Sequence, residues 1–191
     1  MKEARTESIL WSLRKLGFLT RKQIQVLHDL GGDRNASRIM KDIEEYVSSF
    51  RFGEKVYYLN KEGCERIGSK KILKRSNQFR HYIMRNDIYI AYGCPGTWKQ
   101  EVKMNVKGIV SIIADALFND EGRYHIVEID HEQKMSVNRV KIQKYRKLID
   151  CNVFDKPPKF TWYTCTEYRR KQLQKLCEGL DCNIFTVTDF H

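Results

Sequence analysis

Residues 113–145 read IADALFNDEGRYHIVEIDHEQKMSVNRVKIQKY, and two apolar runs of strand length flank the turn-forming Asn119-Asp120-Glu121-Gly122 within them. A Lys-rich stretch with helical spacing follows. Asp115 lies in the first run. Glu128 and Asp130 are two apart in the second, so they leave a strand from the same face. Three carboxylates converging at one sheet edge would form a hard, oxygen-rich site suited to Mg²⁺. The alternative is a solvated sheet end that carries ordinary surface acids.

Beyond the second run the spacing predicts a helix over 136–149. Its apolar members are Val137, Val140, Ile142 and Leu148, and its basic ones are Arg139, Lys141, Lys144, Arg146 and Lys147. Pro157-Pro158 leads into a strand over 160–165. Thr166 caps a basic helix running to about Glu178, and a last strand covers 183–187. Upstream, a strand over 98–104 follows the break Gly93-Cys94-Pro95-Gly96, which ends a long helix from about Asn77 to Ala91. The order helix, three strands, helix, strand, helix, strand implies a mixed sheet flanked by helices.

The first seventy residues follow another pattern. Ile9, Leu10, Leu13 and Leu16 recur at helical spacing up to Gly17. Thr20 and Gln23 form a capping box for a second helix, which Gly31-Gly32 closes. A third helix begins near Asp33, with Ala36, Ile39, Met40, Ile43 and Val47 inward and Arg34, Arg38, Lys41 and Glu45 outward. Residues 46–52 and 56–59 flank Gly53-Glu54-Lys55, a loop of hairpin length, and Asn60 caps a short helix beyond. Three helices and a hairpin make a winged helix, whose third helix enters the major groove. Arg34, Ser37, Arg38 and Lys41 are the expected DNA contacts on that helix, and Arg51 and Lys55 those on the wing. The bland alternative is a solvated basic face, or a winged helix that binds protein.

Bulk properties narrow the partners. The chain has 191 residues, enough for one ordinary domain or two small ones, and its 41% hydrophobic content excludes a disordered chain. A formal charge of +11 points to an anionic partner. No apolar run approaches the roughly 18 residues that span a bilayer, and the N-terminus lacks a signal-peptide core, so a cytoplasmic protein without a membrane partner is expected. The six cysteines lack the paired-knuckle spacing of zinc sites and are read as reduced, packed thiols.

Several short pieces recur in a telling order: Val56-Tyr57-Tyr58-Leu59 with Gly63, His81 with Asn86-Asp87, Ala114-Asp115-Ala116 with Phe118, Val127-Glu128-Ile129-Asp130, and Lys141 with Tyr145. As an ordered set they resemble the replication-relaxation family of plasmids, phages and other bacterial mobile elements. The strand and helix order resembles the restriction-endonuclease-like core. The fold class expected is therefore α+β, with an N-terminal winged helix-turn-helix at 1–70, a basic linker at 71–76 and a nuclease-like mixed-sheet α/β domain at 77–191. The resemblance implies proteins of plasmid replication and of DNA relaxation or transfer. The chain departs from the family in two places: Ala114 stands where Pro is usual, and His131-Glu132-Gln133-Lys134 where Arg-Gly-Thr-Glu is usual.

In active enzymes of the nuclease superfamily an Asp and a Glu-x-Lys hold Mg²⁺ and orient water. Asp130 stands here where that Lys would be, and a carboxylate cannot supply positive charge to a developing phosphorane. Lys141 or Lys144 could be brought to Asp115 by the following helix; their other use is to hold phosphates. Tyr145 is read as a packed ring with a satisfied hydroxyl, and His125 and His131 have no assigned role. The first functional expectation is a DNA-binding protein with an inactive nuclease-like domain, which needs no cofactor to bind. Its partners would be double-stranded DNA and a relaxase or replication protein, and a two-fold symmetric target would imply a dimer. The second is a Mg²⁺-dependent endonuclease or nickase with Asp115, Glu128 and Asp130 as ligands and Lys141 or Lys144 assisting. A transcriptional repressor ranks third.

Overall fold

The computed structural model describes residues 2–190, and the chain divides into two compact units, one up to Ile90 and the other from Ala91. It is an α+β protein with a three-stranded and a five-stranded sheet. Among the described residues no helix is long and apolar enough to cross a membrane.

The first unit opens with α1 (Lys2–Leu16), β1 (Leu19–Thr20), α2 (Arg21–His28) and α3 (Asp33–Asp42). Ile9, Leu10, Leu13 and Leu16 are all buried, as their spacing requires. Gly17 ends α1 at φ +83, a value L side chains rarely adopt. The Thr20 capping box forms in full. At the far end of α2 the chain turns at Asp29 in the left-handed region, before the Gly31-Gly32 pair that the sequence suggests as the stop. The inner face of α3 is Ala36, Ile39 and Met40, with Ile43 as its C-cap. Val47, expected on that helix, instead opens β2 (Val47–Phe52), because the apolar periodicity runs on past the point where the backbone leaves the helix.

β2 and β3 (Glu54–Leu59) form an antiparallel hairpin, and β1 adds to the outer edge of β3. Asn60 accepts from the Gly63 N–H at 2.8 Å and so caps α4 (Lys61–Arg66). Beyond the basic segment, α5 (Phe79–Ala91) is tied to the first unit. Asn86 donates to the carbonyls of Leu16 and Phe18, and Gln23 donates to the Ile83 carbonyl and to Asp87. Rings of Phe18, Phe50, Tyr58, Phe79 and Tyr82 pack edge-on or tilted around that junction.

The helix expected to open the 77–191 domain is α5, which falls almost wholly in the first unit, and the second unit continues the expected order after it: β4 (Lys99–Val106), β5 (Val110–Asp120), β6 (Arg123–Asp130), α6 (Met135–Asp150), β7 (Lys159–Thr164), α7 (Glu167–Leu176) and β8 (Cys182–Thr186). Its strands lie in the order β4-β5-β6-β7-β8. The first two pairings are antiparallel, and the last two are parallel. Parallel neighbours need long crossovers, which α6 and α7 supply. Ile142, Tyr145 and Leu148 of α6 and Leu173 of α7 bury against Ile126, Phe160 and Trp162. On the other face Phe118 stacks on His125 and Trp98, which accounts for His125 as a packed ring. All six cysteines are free thiols.

Candidate functional site

Strand geometry brings Asp115 and Glu128 together. β5 and β6 pair Leu117 with Ile126 and Ala116 with Val127, and the same antiparallel register continued one step sets 115 opposite 128. The backbone ladder stops there, and the Asp115 carboxylate takes over by accepting from the Ile129 N–H at 2.7 Å. Asp115 thereby bridges the two strands at the point where they part.

Glu128 is fully buried. Tyr145 donates to its Oε1 and Lys141 to its Oε2, both from α6. Lys141 and Tyr145 are four residues apart on one helical face, so α6 presents both to the same carboxyl. The Lys141 ammonium also stands 3.8 Å from Asp115 Oδ2. Burial, and then the neighbouring Asp115 charge, push the Glu128 carboxyl well above its ordinary value against the pull of Lys141. Burial lowers Lys141, but the two carboxylates outweigh it and hold the ammonium above its usual range. Burial, followed by Glu128, raises the Tyr145 hydroxyl, which stays a donor. The shared ammonium and the upward shift of Glu128 both offset the cost of taking two acids out of water.

Asp130 does not join them. Its carboxyl receives a two-pronged ion pair from Arg169, Nε to Oδ2 at 2.8 Å and Nη2 to Oδ1 at 2.6 Å. Asn138 and Thr164 add hydrogen bonds at 2.8 and 2.7 Å. Burial opposes ionisation, but the bonds from Arg169, Asn138 and Thr164 together hold the carboxyl below its ordinary value. The expected three-carboxylate centre is thus a pair, with the third acid committed to fastening β6 to α6, β7 and α7. Among the described residues no group of three or more His, Cys, Asp or Glu side chains is arranged to hold a metal ion. As arranged, the donor set fits an ammonium rather than a divalent ion: both Glu128 oxygens are engaged, and Lys141 sits where a cation would.

Lys144 is not at the carboxylates; it lines an open groove beside α6. Nothing in the local pattern points to Arg169, Thr164 or Asn138, since an Asp–Arg pair 39 positions apart leaves no short-range signal. Tyr145 is the packed ring with a satisfied hydroxyl that its type suggests.

In the first unit a second groove of 600 Å³ lies between α3 and the hairpin, and its charged and hydroxyl lining is Ser37, Lys41, Arg51, Lys55 and Arg21 with Glu44 and Glu54. Four of the six expected DNA contacts therefore share one concavity. Arg34 and Arg38 are exposed on α3, and Arg38 donates to Asn35 at 2.8 Å. Arg21, at the start of α2, pairs with Asp33 at 2.6 Å and reaches Ser37 at 3.3 Å. Arg51 stands directly across from Lys55 in the β2–β3 register.

The family model described as replication-relaxation matches residues 10–161. No curated protein matches the chain significantly. Among solved structures it is similar to protein VC1899 from Vibrio cholerae, at 11% identity, TM-score 0.40, and coverage of 96% of this chain and 50% of that one. It is also similar to Can2 from Sulfobacillus thermosulfidooxidans in complex with cyclic tetra-adenylate, at 10% identity, TM-score 0.38, and coverage of 96% and 50%. The chain spans about half the length of each, and likenesses this distant carry no argument about activity.

Proposed function

The chain belongs to the replication-relaxation family, which gives it a role in replication or relaxation, and from that premise we propose that it is a DNA-binding protein of a bacterial mobile element. In this reading the first unit is a winged helix with α3 as the reading helix and the β2–β3 hairpin as the wing. The second unit is a nuclease-like domain that binds without cutting. One observation carries the reading: the groove between α3 and the hairpin gathers four cations, Lys41, Arg51, Lys55 and Arg21, against two acids, Glu44 and Glu54, and Arg51 faces Lys55 directly. Like charges opposite one another weaken a hairpin. A phosphate backbone along the groove would turn that cost into binding.

The test is a footprint and a binding titration on duplex DNA. Arg34→Ala with Arg38→Ala is expected to abolish preference for any selected site, whereas Arg51→Ala with Lys55→Ala is expected to weaken all sequences alike. An unchanged footprint in the first variant would remove α3 as the reader.

An endonuclease reading has one observation in its favour. Lys141, reaching back from α6, brings to Asp115 and Glu128 the positive charge that β6 lacks at position 130. Incubation with supercoiled plasmid and Mg²⁺ or Mn²⁺ separates the two. Nicking that disappears in Asp115→Ala and Glu128→Ala would replace the binding-only reading.

A further inference from the structure

In the second unit an open groove of 710 Å³ runs between α6 and the β4–β5 ribbon. Its floor is Ile113, Val137 and Val140, which are 54%, 45% and 51% exposed. Lys103 and Lys144 stand at its rim, and Lys141 closes the end nearest the carboxylate pair. The placement follows from the elements. Ile113 lies two residues before Asp115 on the α6-facing side of β5, and Lys103 is its direct cross-strand partner. Val137 and Val140 are three apart on α6, so they share a face with Lys141 and Lys144.

Single exposed aliphatic side chains need no explanation, but three gathered into one groove do. No carboxylate lines this groove. Among the described residues neither Lys103 nor Lys144 has a carboxylate partner, and the two acids behind Lys141 pair with it and do not line the groove. The surface asks for a ligand that is anionic along its length and apolar on its faces.

We propose that this groove binds a single strand of nucleic acid, with phosphates on Lys103 and Lys144 and base faces over Ile113, Val137 and Val140. A duplex keeps its base faces stacked inward and offers mainly phosphate, which leaves the floor uncovered. An unpaired strand offers both. The inference rests on the reading of the chain as a DNA-handling protein, and adds a second strand-binding site remote in sequence from α3 and the hairpin.

The experiment is fluorescence anisotropy of the full chain with a labelled oligothymidylate of about twelve nucleotides, the size range of single-strand grooves, and in parallel with a labelled duplex. Lys103→Glu with Lys144→Glu is expected to weaken the oligothymidylate roughly tenfold and to flatten its log–log salt slope by about 1.4, two lost phosphate contacts at about 0.7 each. Val137→Ser with Val140→Ser, which leaves every charge in place, is expected to weaken it several-fold at an unchanged slope. The duplex should be unaffected by either. Unchanged oligothymidylate affinity in both variants overturns the proposal. So does an equal loss on duplex, which would show general electrostatics, or displacement of the oligothymidylate by poly-glutamate at matched charge, which would show an acidic peptide site. Loss of duplex binding in Arg51→Ala with Lys55→Ala, with oligothymidylate binding kept, supports the separate groove. If wild type binds no duplex but keeps the variant-sensitive oligothymidylate site, the winged-helix reading fails and the groove stands.

Discussion

Two acids two residues apart on β6 have opposite fates, and the difference is one of partners. Glu128 is enclosed with one ammonium shared between itself and Asp115, so burial pushes its carboxyl toward the protonated form. Asp130 is enclosed with a guanidinium of its own, an amide and a hydroxyl, so it gives its proton up. The pH consequences run in opposite directions. Below the unfolded value near 4.5, both the folded and the unfolded chain hold the Glu128 proton, and the stabilisation is complete. As pH rises the unfolded chain releases that proton first, and stability drains until the raised folded value is passed. Between the unfolded value and the raised folded one, Glu128→Gln, which cannot ionise, should therefore show a flatter stability-versus-pH curve than wild type in urea melts at stepped pH; parallel curves there would mean that folding does not raise the Glu128 carboxyl. For Asp130 the stabilisation is present above 3.8 and is lost as pH falls through the lowered folded value. Asp130→Asn leaves Arg169 facing a neutral amide in a buried network, a change worth about 3 kcal/mol. Chemical denaturation near neutral pH measures it, and a loss below about 1 kcal/mol would show that the pair contributes little.

At the scale of elements, the sequence was most readable where a short-range signal governs. The Thr20 capping box, the Asn60 and Thr166 caps and the strand in the apolar run around Asp115 are all present as local sequence predicts. It was least readable where tertiary context decides. β1 is two residues long, too short for any period, and exists only because β3 offers its edge. The end of α3 was invisible because Ile43 stays buried after the helix has stopped. The hairpin holds a more specific test. Lys55→Glu would convert its cross-strand repulsion with Arg51 into attraction, raising stability by roughly 0.2–1 kcal/mol while weakening duplex binding. A thermal melt and a binding titration on the same sample should move in opposite senses, and joint loss would mean that Lys55 supports the fold. Gly63 shows the converse, a helix position where the better helix former is worse. A Cβ there would collide with the Tyr46 carbonyl oxygen, which is backbone and cannot swing away. Gly63→Ala should destabilise despite the roughly 1 kcal/mol that favours Ala in a helix, and a raised melting temperature would show that α4 can shift.

Across the whole molecule, what the sequence concealed was pairing at long range. The order of strands and helices was legible because each element carries its own periodicity, and the family resemblance rested on short pieces in that order. Which side chain meets which carboxyl depended on how α6 and α7 cross the sheet. Lys141 lies 13 positions from Glu128 and Arg169 lies 39 from Asp130, and neither separation has a period to detect. The net charge of +11 is likewise legible as a sum but not as a distribution. Part of it is spent inside the fold, with Arg169 on Asp130, Lys141 on the carboxylate pair and Arg66 on Glu3 and Glu7. Only cations free of such pairs can release counterions from DNA. The salt response should therefore follow the exposed set rather than the total. With Lys41, Arg51 and Lys55 each meeting one phosphate and Arg34 and Arg38 reading bases, the log–log slope expected for duplex binding is about −2.7, three contacts at about 0.9 each. Arg51→Ala with Lys55→Ala should reduce its magnitude by about 1.8, whereas Arg66→Ala should leave it unchanged, because the Arg66 charge is already committed. A slope that fell equally in both variants would show that total charge, rather than the α3–hairpin surface, governs binding.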